Sequence, residues 1–245
     1  QPGDGIKYSF LIRARSLDGN RSASSPVKHL SVRKPVAPGF SYLRYASVTE
    51  NRHISLRVHP DTASPVQGYR IERSENPEGP FNTIGFVLPD EAFQPYTDTG
   101  VNVTKKSYHY RITVIDSCGK EVIQSNVAGN ILLENPTGTL LRWNSYESWS
   151  QGVFAYEVYR ITSADSVLAA TLGPDETSWE DPEFNPQEGA DYLVKAIEAG
   201  GNPYGFGEFS LSNRITLDPQ FKIQIPNAFM PFRSGKREFK PLMLA

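Results

Sequence analysis

The sequence predicts an all-β protein made of tandem antiparallel β-sandwiches. Three observations carry this. Short stretches alternate apolar and polar residues with the period of a half-buried strand. Turn formers separate them, with Gly and Pro numbering 19 each in 245 residues. One hairpin pattern also recurs three times along the chain.

The recurring hairpin opens on Tyr8, Phe10, Ile12 and Ala14, then on Tyr108, Tyr110, Ile112 and Val114, then on Ala190, Tyr192, Val194 and Ala196. Each strand is followed by a turn, at Asp18 to Asn20, Ser117 to Gly119 and Gly200 to Asn202, where Gly and Asn tolerate positive φ. A small polar pair then opens a second strand: Ser25 and Pro26, Ser125 and Asn126, Ser212 and Asn213. Tyr8 to Tyr108 and Ser25 to Ser125 are both 100 positions, whereas Ser125 to Ser212 is 87, so the third copy is shorter.

Strands upstream of the second and third hairpins match as well. Ile54, Leu56 and Val58 alternate as Leu141 and Trp143 do, and Tyr69, Ile71 and Arg73 align with Tyr156, Val158 and Arg160. Short strands at this spacing, bounded by Pro, Gly, Asp and Asn, argue for sandwiches. Helical periodicity is absent beyond one turn near Asp90, Glu91 and Ala92.

These residues resemble the fibronectin type III (immunoglobulin-like) pattern. That family has an inward Trp on its second strand, matched by Trp143 and replaced by Val58 in the preceding copy. It also has a corner tyrosine whose hydroxyl bonds to nearby backbone, matched by Tyr8 and Tyr108 and replaced by Ala190. The resemblance implies the last strands of a truncated repeat in 1–34, a complete sandwich in 35–134 and a shorter one in 135–218. Lys34 to Pro38 reads as a stiff link, and Asn135 to Gly138 as the joint between the two sandwiches.

Residues 219–245 carry a different pattern. Ile225, Pro226, Asn227, Ala228 and Phe229 are followed by Pro231 and then by Phe239, Lys240 and Pro241. This resembles the opening of the gliding-motility-associated C-terminal domain, with Met230 standing where that family has Thr. The resemblance implies a sorting module for type IX secretion across the outer membrane of a Gram-negative bacterium. Such modules end large secreted or cell-surface proteins, and the strands here are only its beginning.

The formal charge is −2, from 25 basic and 27 acidic residues, and gives no electrostatic reason to expect nucleic acid or an anionic membrane as partner. No apolar run approaches the ~20 residues of a membrane helix. The single Cys118 forms no internal disulfide. The chain opens on Gln1 with no signal-like stretch, as a processed product or an excised piece would.

No catalytic, metal or cofactor site is expected. His29, His53, His59 and His109 lack zinc-ligand spacing, and His109 should face outward between inward Tyr108 and Tyr110. Cys118 has no nearby His to act as its base. The acids Asp175, Glu176, Glu180, Asp181 and Glu183 cluster in a Pro-bounded loop and read as solvated. The aromatics say more. Tyr146 and Trp149 lie in one loop of the 135–218 repeat, Tyr204 and Phe206 in another, and in this fold both loops gather at one end. Exposed, they form a platform for a sugar or a protein; the alternative is packing on each other or on the next domain. Thr62 and Ser166, each between Asp and an aliphatic residue, match a bacterial O-glycosylation pattern. Asn102 and Thr104 match the N-glycosylation triplet, expected to be idle in a bacterium.

The expectation is a non-catalytic spacer or adhesion fragment with a protein or surface glycan as partner. The rivals are an ancillary carbohydrate-binding module of a larger surface enzyme, and an enzyme with titratable groups converging in a cleft. The two incomplete ends each carry an apolar face: Tyr8, Phe10, Ile12, Ala14, Val27 and Leu30 in the first, Ile223, Ile225, Phe229 and Phe239 in the second. They are expected to be covered by the body, by each other or by a neighbouring molecule, with dimerisation as one route.

Overall fold

The computed structural model describes residues 6–32, 36–91, 94–219, 222–224 and 242–244. The chain folds as tandem antiparallel β-sandwiches of fibronectin type III-like topology, preceded by a hairpin. Lys34, Pro35 and Ala92 lie outside the described residues, as do Ile225, Phe229 and the rest of the sorting motif through Pro241. At Asp90 and Glu91 the chain makes a turn closed by Glu91 N–H on the Leu88 carbonyl.

The hairpin is one ladder in two pieces. β1 (Ile6–Phe10) pairs with β4 (Lys28–Val32), and β2 (Arg13–Arg15) with β3 (Ser22–Ser24). Its apolar face is bare: Tyr8, Phe10, Ile12, Val27 and Leu30 are 45%, 56%, 78%, 48% and 54% exposed. The expected cover by the body or the other terminus is therefore corrected. In the sandwiches the same face meets a three-stranded sheet, and no described strand faces it here.

The first sandwich contains β5 (Ser41–Thr49), β6 (His53–Pro60), β7 (Val66–Ser74), β8 (Asn82–Val87), β9 (Tyr96–Asp98), β10 (His109–Asp116), β11 (Glu121–Gln124) and β12 (Ala128–Gly129). One sheet has the order β5-β6-β9; the other has β11-β10-β7-β8, with β12 also on β10. The second sandwich repeats this with β13 (Leu133–Thr137), β14 (Leu140–Trp143), β15 (Val153–Ile161), β16 (Ser166–Leu172), β17 (Ser178–Glu180), β18 (Ala190–Glu198), β19 (Phe209–Leu211) and β20 (Ile215–Leu217). Its sheets run β13-β14-β17 and β16-β15-β18-β19, with β20 on β18. β21 (Lys222–Gln224) pairs with β22 (Leu242–Leu244).

The alternating residues fill the two cores as their phase requires. Ile54, Leu56, Tyr110 and Ile112 are buried in the first; Leu141, Trp143, Tyr156 and Tyr192 in the second. Asn135 to Gly138, expected as the inter-domain joint, is instead the β13–β14 turn: Gly138 sits at φ 54°, and Thr137 pairs with Leu140. The crossing between sandwiches is Asn130 to Leu132, with Asn130 and Ile131 fully buried.

Tyr108 is the corner residue, but its hydroxyl accepts rather than donates. The Asn102 N–H reaches it at 3.0 Å. Tyr108→Phe should lower stability by about 1–2 kcal/mol, since a backbone donor loses its acceptor. Denaturant unfolding that is unaltered by the change would show the bond to be replaced by water. At the matching corner of the second sandwich, where Ala190 stands, Glu188 and Gly189 N–H groups close on the Asn185 carbonyl and Phe184 packs on the core.

Two polar devices recur. In each hairpin a serine hydroxyl replaces a ladder partner: Ser25, Ser125 and Ser212 accept from the N–H of Ile12, Ile112 and Val194 at 3.0, 2.9 and 2.9 Å. The next residue then ties the two sheets together. Asn126 Oδ1 accepts from Leu43 N–H at 2.8 Å and Nδ2 donates to the Leu43 carbonyl at 3.0 Å. Asn213 does the same to Leu133, at 2.7 and 2.9 Å. The N-terminal hairpin has Pro26 at this place, which offers no such pair. The second device is a buried aspartate. Asp98 accepts from Arg73 and Tyr110 at 2.7 and 3.0 Å, and Asp181 from Arg160 and Tyr192, each at 2.7 Å.

Candidate functional site

The four candidate aromatics converge, but as the inner face of a joint between the sandwiches. Tyr146 and Trp149 are 4% and 6% exposed. Their rings pack 4.3 Å apart. The Tyr146 hydroxyl accepts from Ala46 N–H at 3.0 Å, and Trp149 Nε1 donates to the Arg44 carbonyl at 2.7 Å. Both partners are backbone groups of β5 in the other sandwich. Tyr146 and Trp149 thus follow the packed alternative, on each other and on the neighbouring sandwich, and form no open platform. β5 is an edge strand whose outward N–H and C=O groups need partners. The two aromatic residues carry a polar tip to satisfy them and a ring to exclude water.

Tyr204 and Phe206 close the upper end of the same seam and are half-buried. Tyr204 packs on Phe40, Tyr42 and His59 with ring centroids 5.0, 5.0 and 5.1 Å apart. Phe206 meets the His59 edge at 4.9 Å and carries the Arg44 guanidinium 3.6 Å above its ring. Arg44 also pairs with Glu208. Burial, and then the nearby Arg44 cation, hold the His59 pKa below its ordinary value. Burial, and then the Glu198 carboxylate, push the Tyr42 hydroxyl up to about 12. Asn202 donates to both that hydroxyl and Glu198, at 3.3 and 2.5 Å.

The seam continues down β5. Ser210 Oγ donates to the Ala46 carbonyl at 2.7 Å, Leu211 N–H to Ser47 Oγ at 3.0 Å, and Arg214 N–H to Asn51 Oδ1 at 2.6 Å. Partners advance together, from 44 with 208 to 46 with 210, 47 with 211 and 51 with 214. The 208–214 segment thus runs alongside β5 in the same direction, and each sandwich covers an edge of the other. The connecting segment is pinned from both sides. Asn130 Oδ1 accepts from Tyr108 N–H at 2.8 Å, and Asn144 Oδ1 from Leu132 N–H at 2.7 Å. Asn126, besides tying its own sandwich, donates to the Ser148 carbonyl at 2.9 Å. These asparagines were missed in the sequence. For Asn126 a signal was there, in the Ser-Asn pair that recurs at Ser212 and Asn213; Asn130 and Asn144 have none.

The remaining candidates lie apart from this seam. Thr62 is exposed in the loop after β6, beside Asp61, whose carboxylate accepts from Gly39 and Ala63 N–H. Ser166 is exposed at the start of β16, with its N–H on Asp165 Oδ1. Asn102 Oδ1 accepts from the Thr104 hydroxyl at 3.1 Å. Cys118 is exposed. Of the acids, Asp181 is buried on Arg160 and Tyr192, and Glu180 accepts from Thr139. His109 is half-buried, and burial lowers its pKa. Among the described residues no three His, Cys, Asp or Glu side chains are grouped to hold a metal ion, and no helix is long and apolar enough to cross a membrane.

The fold and the seam define a fused pair of fibronectin type III-like sandwiches. Similar solved structures include a Fn3-like protein from Clostridium thermocellum, at 27% identity over 38% of this chain and 92% of that one, with TM-score 0.33. Others are the FN1–FN3 domains of chicken CNTN1, at 13% identity over 87% and 75% with TM-score 0.31, and a two-domain fibronectin type III segment of chicken tenascin, at 17% over 74% and 97% with TM-score 0.26. No protein-family model and no curated protein matches the chain.

Proposed function

We propose that the chain is a non-catalytic, stiff spacer and adhesion segment of a secreted or cell-surface protein of a Gram-negative bacterium. The observation that carries this is the seam. A spacer must hold its modules at a set angle, and here the second sandwich satisfies backbone groups of the first while buried asparagines pin the connection. A small-ligand platform would leave its rings open, and Tyr146 and Trp149 are closed. The Ile225 to Pro241 motif supports export by the type IX route, and the reading extends to O-glycosylation at Thr62 and Ser166 and to self-association through the bare hairpin face.

The test is the angle itself. Trp149→Ala removes a buried ring of the seam together with the Arg44 carbonyl's donor, and should weaken docking by about 2–4 kcal/mol, as truncation of an interface hot spot does. Distances between spin labels on the two sandwiches should be narrowly distributed in the parent chain and broad in the variant. A broad distribution in the parent chain would sink the spacer reading. Export is checked by surface labelling of the full-length protein in cells with and without a working type IX apparatus.

A further inference from the structure

Docking of the sandwiches creates a groove that neither has alone. It is a cavity of about 420 Å³ lined by Tyr45, Ser47, Ser55 and Arg57 of the first sandwich and Phe209 and Leu211 of the second. A second cavity of about 360 Å³ shares Val48 and Leu211 with it. In β5 these side chains alternate with the core residues Ala46 and Val48, so they stand on the outer face of the sheet. The register sets Tyr45 opposite Arg57 and Ser47 opposite Ser55.

We propose that this groove binds an anionic saccharide chain. Its chemistry is specific to that class in three respects. Two rings line it, one from each sandwich, half-buried Tyr45 and 50% exposed Phe209, on which the apolar faces of sugar rings can stack. Ser47, Thr49 and Ser55 line the same cavity, the Ser47 Oγ also accepting from Leu211 N–H. Arg57 forms no ion pair among the described residues, whereas the other lining charge, Glu208, is neutralised by Arg44. A guanidinium without an acid partner meets a carboxylate or sulfate through two parallel hydrogen bonds. An extended peptide is the poorer occupant. The Ala46 carbonyl and Leu211 N–H that would extend a ladder here are already taken by the seam.

The proposal rests on the docked pair described above, and the experiment separates the two. The whole chain is titrated calorimetrically with hexagalacturonate, a chondroitin sulfate hexasaccharide, neutral cellohexaose and hexaglutamate. Saturable binding of at least one anionic saccharide is expected, with cellohexaose and hexaglutamate at least tenfold weaker. Arg57→Ala, Tyr45→Ala and Phe209→Ala should each weaken it at least tenfold with an unchanged melting temperature. Two of the three variants suffice if one fails to fold. No binding of either anionic saccharide overturns the proposal. So do hexaglutamate binding as tight as the saccharide's and folded variants that bind like the parent. Narrow label distances without binding reject the groove and leave the spacer reading standing; broad distances reject the spacer reading itself.

Discussion

Trp143→Ala should unfold the second sandwich at a markedly lower denaturant concentration, with a loss of about 3–5 kcal/mol. Trp143 is 3% exposed on β14, pairs across to Leu133 and packs edge-on to Tyr156 with ring centroids 5.7 Å apart. Truncation removes the burial of the ring and leaves a cavity that β13 and β15, each held by its own ladder, cannot close. The control is Trp143→Phe. The indole Nε1 is buried without a hydrogen-bond partner, so losing it has an offsetting benefit and the Phe variant should be much milder. Equal melting of the Ala variant and the parent chain would refute the core assignment.

Asn213→Ala should cost about 2–4 kcal/mol, more than a surface asparagine would, because it strands two buried groups at once. Asn213 is fully buried, and Leu133, whose N–H and carbonyl it satisfies, is 1% exposed. Hydrogen exchange at the Leu133 amide is the most direct readout. It should accelerate strongly in the variant, and unchanged protection there would show that the sheets are tied by something else. Asn126→Ala makes the companion case. It should also loosen the seam, because Asn126 reaches Ser148 as well as Leu43.

The strands were legible because alternation is a local property. Tyr110, Ile112 and Trp143 could be placed in the core from neighbours two positions away. The corner tyrosine was legible too, although not the direction of its hydrogen bond, which depends on whether a carbonyl or an N–H comes within reach. The ties were not legible, since Asn126 and Asn213 read only as part of the small polar pair that opens a strand and their partners lie 83 and 80 residues away. The same holds for the aromatic loops. Spacing brings Tyr146, Trp149, Tyr204 and Phe206 to one end of a sandwich, but says nothing of what faces that end. Asn135 to Gly138 misled for a related reason: a Pro-Gly stretch marks a turn equally well inside a domain and between two.

The same-direction seam sets a schedule for the protein's birth. β5 lies near the front of the first sandwich, while Ser210, which caps its Ala46 carbonyl, lies 164 residues later. At the roughly 5–20 residues per second of ribosomal synthesis, that separation is about 8–33 s before the Ser210 part of the β5 cover exists. An uncovered edge strand is a template for pairing with another nascent chain. The first sandwich has all its own strands long before its β5 edge is fully covered, and the hazardous interval is set by the pace of translation.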